Sequence, residues 1–444
     1  MRPYISRFPL FGITILTLVL AACTAQPTGS PSGGGGTQAA AGPAGVEVML
    51  SEFAIEPAAL SVPAATPLEI SVTNHGQAPH TFGVTIGGRT IETSTIDPGG
   101  SATLSVPALE AGTYGTLCTV PGHADSGMVG TLTAGAGDVS APPAHTTMTA
   151  EQMADGHAAG VQAFVAGDQT DLQGNQPLRP TMDGGVKVFE LWAENVQWEI
   201  SKGVFKDAMA FNRQIPGPEI RVRTGDRVRI FLKNLMDQPT ALHFHGLTIP
   251  NEMDGVPYVT QDPIMPGGSF YYEFRVTDPP GMYVFHSHFN SAEQVGKGLY
   301  GAFIVEPPGG RWRSVYGVEP DVEADLFLGD GPLDYTLNGK SFPATTPIVA
   351  ERGDHVLVHL ANDGSLLHPM HLHGFHFTVV GVDGFPLAPE ERYPADTLVV
   401  APGSRYDILV EANAPGIWAF HCHILPHVEG PQGMFGMVTA LVVG

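Results

Sequence analysis

Cysteine is almost missing from this chain. Three residues in 444, Cys23, Cys118 and Cys422, exclude a disulfide framework and leave each thiol a separate purpose. Basic residues are scarce too, 21 against 44 acidic ones, for a formal charge of -23. A surface so short of Lys and Arg excludes nucleic-acid binding through phosphate neutralisation and docking on anionic membranes, and it favours cations by long-range attraction. Beyond residue 22 no apolar run is long enough to span a bilayer. Helical periodicity is confined to Thr149 to Val165, where Thr149-Ala-Glu-Gln resembles a capping box. What fills the chain instead is 55 Gly, 39 Pro and 43% hydrophobic residues, the make-up of short strands between turns. The expected fold class is all-β, in about three domains.

Histidine, by contrast, comes in pairs. The stretch Trp418-Ala-Phe-His421-Cys422-His423-Ile-Leu-Pro-His427-Val-Glu-Gly-Pro-Gln-Gly-Met434 reads as a strand over 419–424, and alternation puts Cys422 on one face with His421 and His423 on the other. The i, i+2 spacing recurs in His243-Phe-His245-Gly246, in His286-Ser-His288 and within His368-Pro-Met-His371-Leu-His373-Gly374. A thiolate with a nearby imidazole and a thioether suits a single redox copper, while several converging imidazoles suit a copper cluster. Histidines satisfied inside a core do not repeat one spacing four times.

Over about residues 185 to 444 these four motifs, in this order, resemble the multicopper oxidases, the family of laccases and metallo-oxidases. The resemblance implies that His368, Cys422 and His427 ligate a type 1 copper, with Met434 as a weak axial ligand. It places His243 and His371 on a type 2 copper, and His245, His286, His288, His373, His421 and His423 on a coupled type 3 pair. Together these form a trinuclear cluster. Asp254, in Met253-Asp254-Gly255-Val256, matches an acidic residue near that cluster and would orient water or relay protons, although an Asp-Gly step also reads as a turn. Two departures stand out. Met434 lies seven residues after His427 where many relatives have five, because Gly430-Pro-Gln lengthens the loop, and Met437 is the spare axial candidate. The acid after the type 1 histidine is Glu429 rather than residue 428, so Glu429 receives no catalytic role.

In chain order, Arg2, Arg7 and the apolar run Phe8 to Ala22 are shaped like a secretory signal, and Leu20-Ala-Ala-Cys23 resembles a bacterial lipobox. Residues 1–23 are therefore expected to be a lipoprotein signal peptide, with Cys23 lipidated and the protein exported to the cell surface or periplasm on a membrane anchor. Residues 24–45 read as a flexible tether. Residues 46–135 carry Pro79-His80 and Cys118-x4-His123-x4-Met128, so that His80, Cys118, His123 and Met128 can surround one ion. This segment resembles a plastocyanin-like cupredoxin and implies a second type 1 copper; zinc would make poor use of the methionine, and His75 is the rival to His80. Residues 136–185 form a linker around the helix, with His145 and His157 read as solvated. Residues 186–308 and 309–444 complete three consecutive cupredoxin-like Greek-key β-sandwiches. In the last of them His355 and His359 share a strand face that reads as solvated, and His376 lacks a paired partner.

The expected activity is one-electron oxidation of a donor coupled to four-electron reduction of dioxygen to water, with Cys422 as the electron-accepting thiolate. Phenols, aromatic amines and metal ions such as Cu(I), Fe(II) or Mn(II) all remain open as donors, and the appended cupredoxin offers a port for a protein electron donor. The alternatives are a copper nitrite reductase and a non-catalytic copper-binding electron carrier. Only about 80 residues separate His288 from His368, so no copper-free middle domain fits. The resemblance is thus to two-domain laccases, in which the histidine sets face a neighbouring chain, and it implies a homotrimer with interfacial trinuclear clusters.

Overall fold

Alternating apolar residues build the three sandwiches in series. The computed structural model describes residues 44–51, 54–76, 78–120, 123–124, 128–135, 150–167, 170, 172–430 and 433–444. The expected signal peptide with Cys23, nearly all of the tether, His145 and the Thr149 cap lie outside the described residues.

In the first sandwich the strand Leu68–Asn74 alternates buried and open positions between Ala44–Ser51 and Ser101–Val106. A second sheet runs Ala59–Pro63, Val129–Gly135, Gly112–Leu117, Gly83–Ile86, Arg89–Glu92. Val48, Ile70, Val72, Phe82, Leu104 and Leu132 fill the space between them, and Cys118 and Met128 belong to the same core. The sandwich begins two residues before the expected position 46, since Ala44 already pairs with Leu68. The helix appears as α1, Ala150–Val165.

The second sandwich sets a sheet built on Val186–Ser201, Arg227–Asn234 and Ser269–Arg275 against Gly217–Arg223, Tyr300–Glu306, Gly281–Ser287 and Leu242–His245. It also starts earlier than expected, because Thr181–Asp183 pairs with Val186–Val188. The third sets Val322–Gly329, His355–Asn362, Arg405–Glu411 and Phe377–Val382 against Val438–Val443, Gly416–Cys422, His368–Leu372 and Thr397–Val400. A shared apolar cluster, including Trp198, Ile215, Met282 and Ile304 of the second sandwich and Phe327, Leu357 and Val380 of the third, joins these two.

One device recurs in all three. Asn74, Asn234 and Asn362 each end a strand, each buried, and each donates through Nδ2 to the carbonyl four residues on: Ala78, Gln238 and Leu366. Each donates again across the sandwich, to the carbonyls of Ile96, Ile264 and Val400, and accepts the amide two residues on. Satisfying three backbone groups in a buried turn fixes the chain that follows. The residue six places later is His80, Thr240 and His368 respectively, and each pairs with that same cross-sandwich residue. The Asn device therefore fixes the same position in every sandwich, filled by His80 and His368 in the first and third and by Thr240 in the second.

The solvated face expected for His355 and His359 is a correction. His355 is half-buried beside Asp321, but His359 is fully buried where the third sandwich meets the second. Its Nδ1 lies 2.5 Å from Asp407 Oδ1 and its Nε2 3.4 Å from Glu323 Oε1, and Arg221 of the second sandwich holds Glu323 at 2.7 Å. Burial alone would lower the imidazole pKa, but the Asp407 and Glu323 carboxylates outweigh it and raise it well above the ordinary value. Period-two patterning says which residues share a face and cannot say whether that face meets water or another sandwich.

Candidate metal centres

The strand Gly416–Cys422 lies between His368–Leu372 and Val438–Val443, with Met370 opposite Cys422 and His371 opposite His421. Alternation turns Cys422 into the core and leaves His421 half-buried and His423 exposed on the far side. On the buried side Cys422 Sγ lies 3.7 Å from His368 Nδ1 and 3.6 Å from His427 Nδ1, and the three side chains are 0 to 4% exposed. Burial pushes the Cys422 thiol up to about 11. Burial, with His368 nearby, pushes His427 down to about 4. The pocket thus holds two imidazoles aimed at a thiol that will not ionise unaided, and a metal that binds thiolate and imidazole would supply what displaces the proton. These donors fit copper.

The far nitrogen of His368 has its own support. Its Nε2 lies 3.0 Å from Asp330 Oδ2, and the Asp330 carboxylate accepts the amides of Ser365 and Leu366 at 2.9 and 3.0 Å. Burial opposes the charge, yet the His368 ring and these two amides hold the carboxyl below its usual range. A buried carboxylate on Nε2–H fixes the tautomer that leaves Nδ1 free to ligate. Asp330→Asn is expected to weaken copper binding at this pocket about 10- to 100-fold. Competition titration against a chelator, reading the thiolate absorption, measures it; unchanged affinity would show that Asp330 merely fills space.

For the axial position, Met434 is half-buried on the short strand Gly433–Met434, which pairs with Glu429–Gly430 and packs against the core that contains Cys422. Met437 is fully buried, and its carbonyl accepts the Cys422 amide at 3.1 Å. Both sequence candidates therefore pack in the core that holds Cys422.

In the first sandwich Cys118 Sγ lies 3.5 Å from His123 Nδ1 and 4.0 Å from His80 Nδ1. His80, Cys118 and Met128 are fully buried while His123 is half-buried, and the Met128 amide donates to the His123 carbonyl. His75, the rival, is exposed. The second sandwich has the same position but different chemistry. Thr240, Ser287 and Gln294, all fully buried, meet there: Gln294 Oε1 accepts Ser287 at 2.5 Å and Thr240 at 2.9 Å. Hydroxyls and an amide satisfying one another leave no soft ligand and no charge to offset a metal. Sequence reasoning missed this triad, although the Asn-x5-Thr240 spacing matches Asn-x5-His in the other two sandwiches.

The remaining histidines form two sets of four. His243 lies 5.9, 5.2 and 5.4 Å, ring to ring, from His245, His286 and His288. In the other set His371 lies 4.9, 5.7 and 5.5 Å from His373, His421 and His423, and the Nε2 atoms of His373 and His421 approach to 3.0 Å. Backbone carbonyls take the Nδ1 side of four rings: Asp254 for His243, Ser287 for His286, Asp396 for His371 and Cys422 for His421, all at 2.8 to 2.9 Å. That leaves Nε2 of each for a metal. Burial lowers the pKa values of His243, His286, His373 and His421, and that of His245 to about 4, so the rings are neutral ligands at pH 7. Among the described residues, every ring contact of these eight histidines stays within its own set.

Asp254 stands both in a glycine turn and beside the first histidine set. It precedes Gly255, where φ is +80° and an added Cβ would sit 1.9 Å from the Leu242 carbonyl, so the turn needs glycine there. Its side-chain Oδ1 also lies 3.4 Å from His243 Nδ1. His376, set aside in the sequence, is exposed. Arg405, unforeseen, is 3% exposed and comes from the third sandwich to the first histidine set: a Cβ on Gly246 would meet its Nη2 at 2.7 Å.

Three sandwiches in series, two with thiol-imidazole pockets and two with histidine sets, define a chain of copper-protein modules. Sequence profiles of multicopper oxidases match residues 193–310 and 318–442, and a cupredoxin-like domain profile matches 12–134. Among solved structures, the blue copper oxidase from Nitrosomonas europaea is 31% identical over 58% of this chain and 86% of its own, with a TM-score of 0.54. Laccase-1 of Botryotinia fuckeliana is 33% identical over 239 residues, 48% of this chain and 40% of its own length. A probable nitrite reductase-hydroxylamine oxidoreductase fusion protein of Kuenenia stuttgartiensis is 31% identical over 286 residues, 57% of this chain and 31% of its own length. The chain spans less than half the length of either of these two curated relatives. The chain belongs to the multicopper oxidase family, whose cofactor is copper.

Proposed function

We propose that this chain couples one-electron oxidation of a donor, a phenol, an aromatic amine or a metal ion, to reduction of dioxygen to water. The observation that carries the reading is the strand ending at Cys422, whose thiol joins His368 and His427 on the buried side while His421 and His423 join a four-histidine set on the other. Copper would supply one-electron redox chemistry at His368, Cys422 and His427 (type 1), and dioxygen chemistry at His243 and His371 (type 2) and at His245, His286, His288, His373, His421 and His423 (type 3). The chain's own residues orient and protonate. The carbonyls of Asp254 and Asp396 hold the Nδ1 protons of His243 and His371, and the Asp254 carboxylate, 3.4 Å from His243 Nδ1, would pass protons at Oδ1. His80, Cys118, His123 and Met128 would make a second type 1 site.

Assembly belongs to the same proposal. Each four-histidine set leaves ligating nitrogens open, and within one chain the sets do not touch, which supports closure between copies as a head-to-tail homotrimer. The lipobox-like residues 20–23 support an exported, membrane-anchored protein. Nitrite reduction is the second reading, favoured by the Kuenenia relative's description. Against it, the pocket beside the first histidine set holds Ser287 and Gln294 rather than a thiol and an imidazole. The test is copper stoichiometry with oxygen uptake: about five coppers per chain, and about one dioxygen consumed per four electrons donated, are expected. About two coppers without oxygen uptake would leave only an electron carrier, and consumption of nitrite in place of oxygen would select the reductase.

A further inference from the structure

Helix α1 is more than a spacer between the first two sandwiches. Its half-buried positions are Gly156, His157, Gly160, Ala163 and Phe164, a single stripe at helical spacing, while Met153, Val161 and Val165 stay exposed. That stripe lies against the strand pair formed by Glu429–Gly430 and Gly433–Met434, in the stretch that follows His427. The approach is backbone to backbone. An added Cβ on Gly433 would lie 3.1 Å from the His157 nitrogen, and one on Gly160 would lie 3.3 Å from Phe342 Cε1 and 4.0 Å from the Met434 carbonyl. Around this contact Phe164 packs on Phe342 with ring centroids 5.2 Å apart, and His157 Nε2 reaches Glu429 Oε1 at 3.5 Å.

What lies beneath the loop is His427, which is 4% exposed. The Tyr335 ring stacks on it at 4.0 Å and 17°, and the chain returns directly over it at Gly436, where an added Cβ would meet the His427 carbonyl at 2.2 Å. In the first sandwich the corresponding His123 is half-exposed, so the two thiol-imidazole pockets differ in access. Among the described residues, a helix from outside its own sandwich packs on the ligand loop of the closed one.

We propose that α1 is a strap holding the ligand loop of the third-sandwich pocket shut, so that the linker, through Gly156, Gly160 and Phe164, determines which donors and metal ions reach His427 and Cys422. This rests on reading that pocket as the type 1 site. The strap sits on the short strands Glu429–Gly430 and Gly433–Met434. Small donors are screened from the His427 ring while the strap is docked, and a lifted strap admits them.

The test uses the full chain with Cys23→Ser and Cys118→Ser, free of copper, so that a small aromatic disulfide reagent reports on Cys422 alone. Phe164→Ala removes the ring packed on Phe342, and Gly160→Leu wedges the helix away while keeping a strong helix former. Each is expected to speed labelling about tenfold, the effect of easing a local opening by one half-buried aromatic contact. Val161→Ala, on the outward face, is expected to change nothing. In the copper-loaded protein with its native cysteines, the same two variants should lower KM for a small phenol with little change in kcat. Hydrogen exchange of α1 reports whether the strap has lifted, which keeps the result readable if one variant folds poorly. Lifted α1 with unchanged labelling would overturn the strap. Faster labelling in a protein that never shows thiolate-copper absorption would overturn the type 1 reading and leave the strap standing.

Discussion

Two chains that are each inactive, one carrying His243→Ala and His245→Ala and the other His421→Ala and His423→Ala, are expected to regain oxidase activity when refolded together. The expectation follows from geometry within one chain. His243, His245, His286 and His288 contact one another, His371, His373, His421 and His423 contact one another, and neither set contacts the other. Third-sandwich residues already occupy space beside the first set, since an added Cβ on Gly403 would lie 3.2 Å from His245 Cε1 and Arg405 lies against Gly246. The second set cannot simply swing over to meet it. In the proposed head-to-tail ring the first set of one copy would meet the second set of the next. In an equal random mixture, one junction in about four would then pair two intact sets, so about a quarter of the native activity should return. The intact junction also draws its Cys422 from the chain that supplies the intact second set, so its electron path is complete. Sedimentation of the native protein should give a trimer, and a fully active monomer would end the proposal.

Legibility from sequence tracked the kind of constraint involved. The gathering of eight histidines into two sets and of each thiol with imidazoles was readable because strand alternation ties sequence spacing to side-chain direction, and ligand chemistry then restricts what a Cys flanked by two His can be. His359 was misread by the same rule: its strand lies between two others in a sheet whose outer face is covered by the second sandwich, and burial on both faces leaves no polar alternation to read. Asp330 carried no spacing signal, because it reaches His368 from a loop 38 positions away and acquires its role only through the fold. Arg405 was invisible for the same reason. The degenerate pocket of Thr240, Ser287 and Gln294 was legible in principle, but only by comparing the three sandwiches with one another. α1 itself was read correctly as a helix, whereas its docking was hidden because the contact face is made largely of Gly and Ala, which carry little hydrophobic signal.

Cys422→Ser is expected to bring oxidase turnover to background while about half of the thiolate-to-copper absorption per chain survives, contributed by Cys118. The loss is chemical rather than structural. Serine keeps the size of the side chain but replaces a soft ligand with a hydroxyl that stays protonated, so the pocket loses its charge-compensating donor while both imidazoles remain. Folding should persist, because the substitution is nearly isosteric and a hydroxyl there faces the polar ring edges of His368 and His427, which a small shift brings into hydrogen-bonding range. The second sandwich supplies a natural precedent, since Ser287 occupies the same place between His286 and His288 and is satisfied by Gln294. Thermal denaturation of the copper-free variant should therefore stay close to that of the parent chain. Loss of all colour in the single variant would mean that the first sandwich holds no thiolate-copper site, and the assignment of His80, Cys118, His123 and Met128 would fall. Turnover that persisted would be more damaging still, for it would separate the Cys422 strand from the electron path between its two faces.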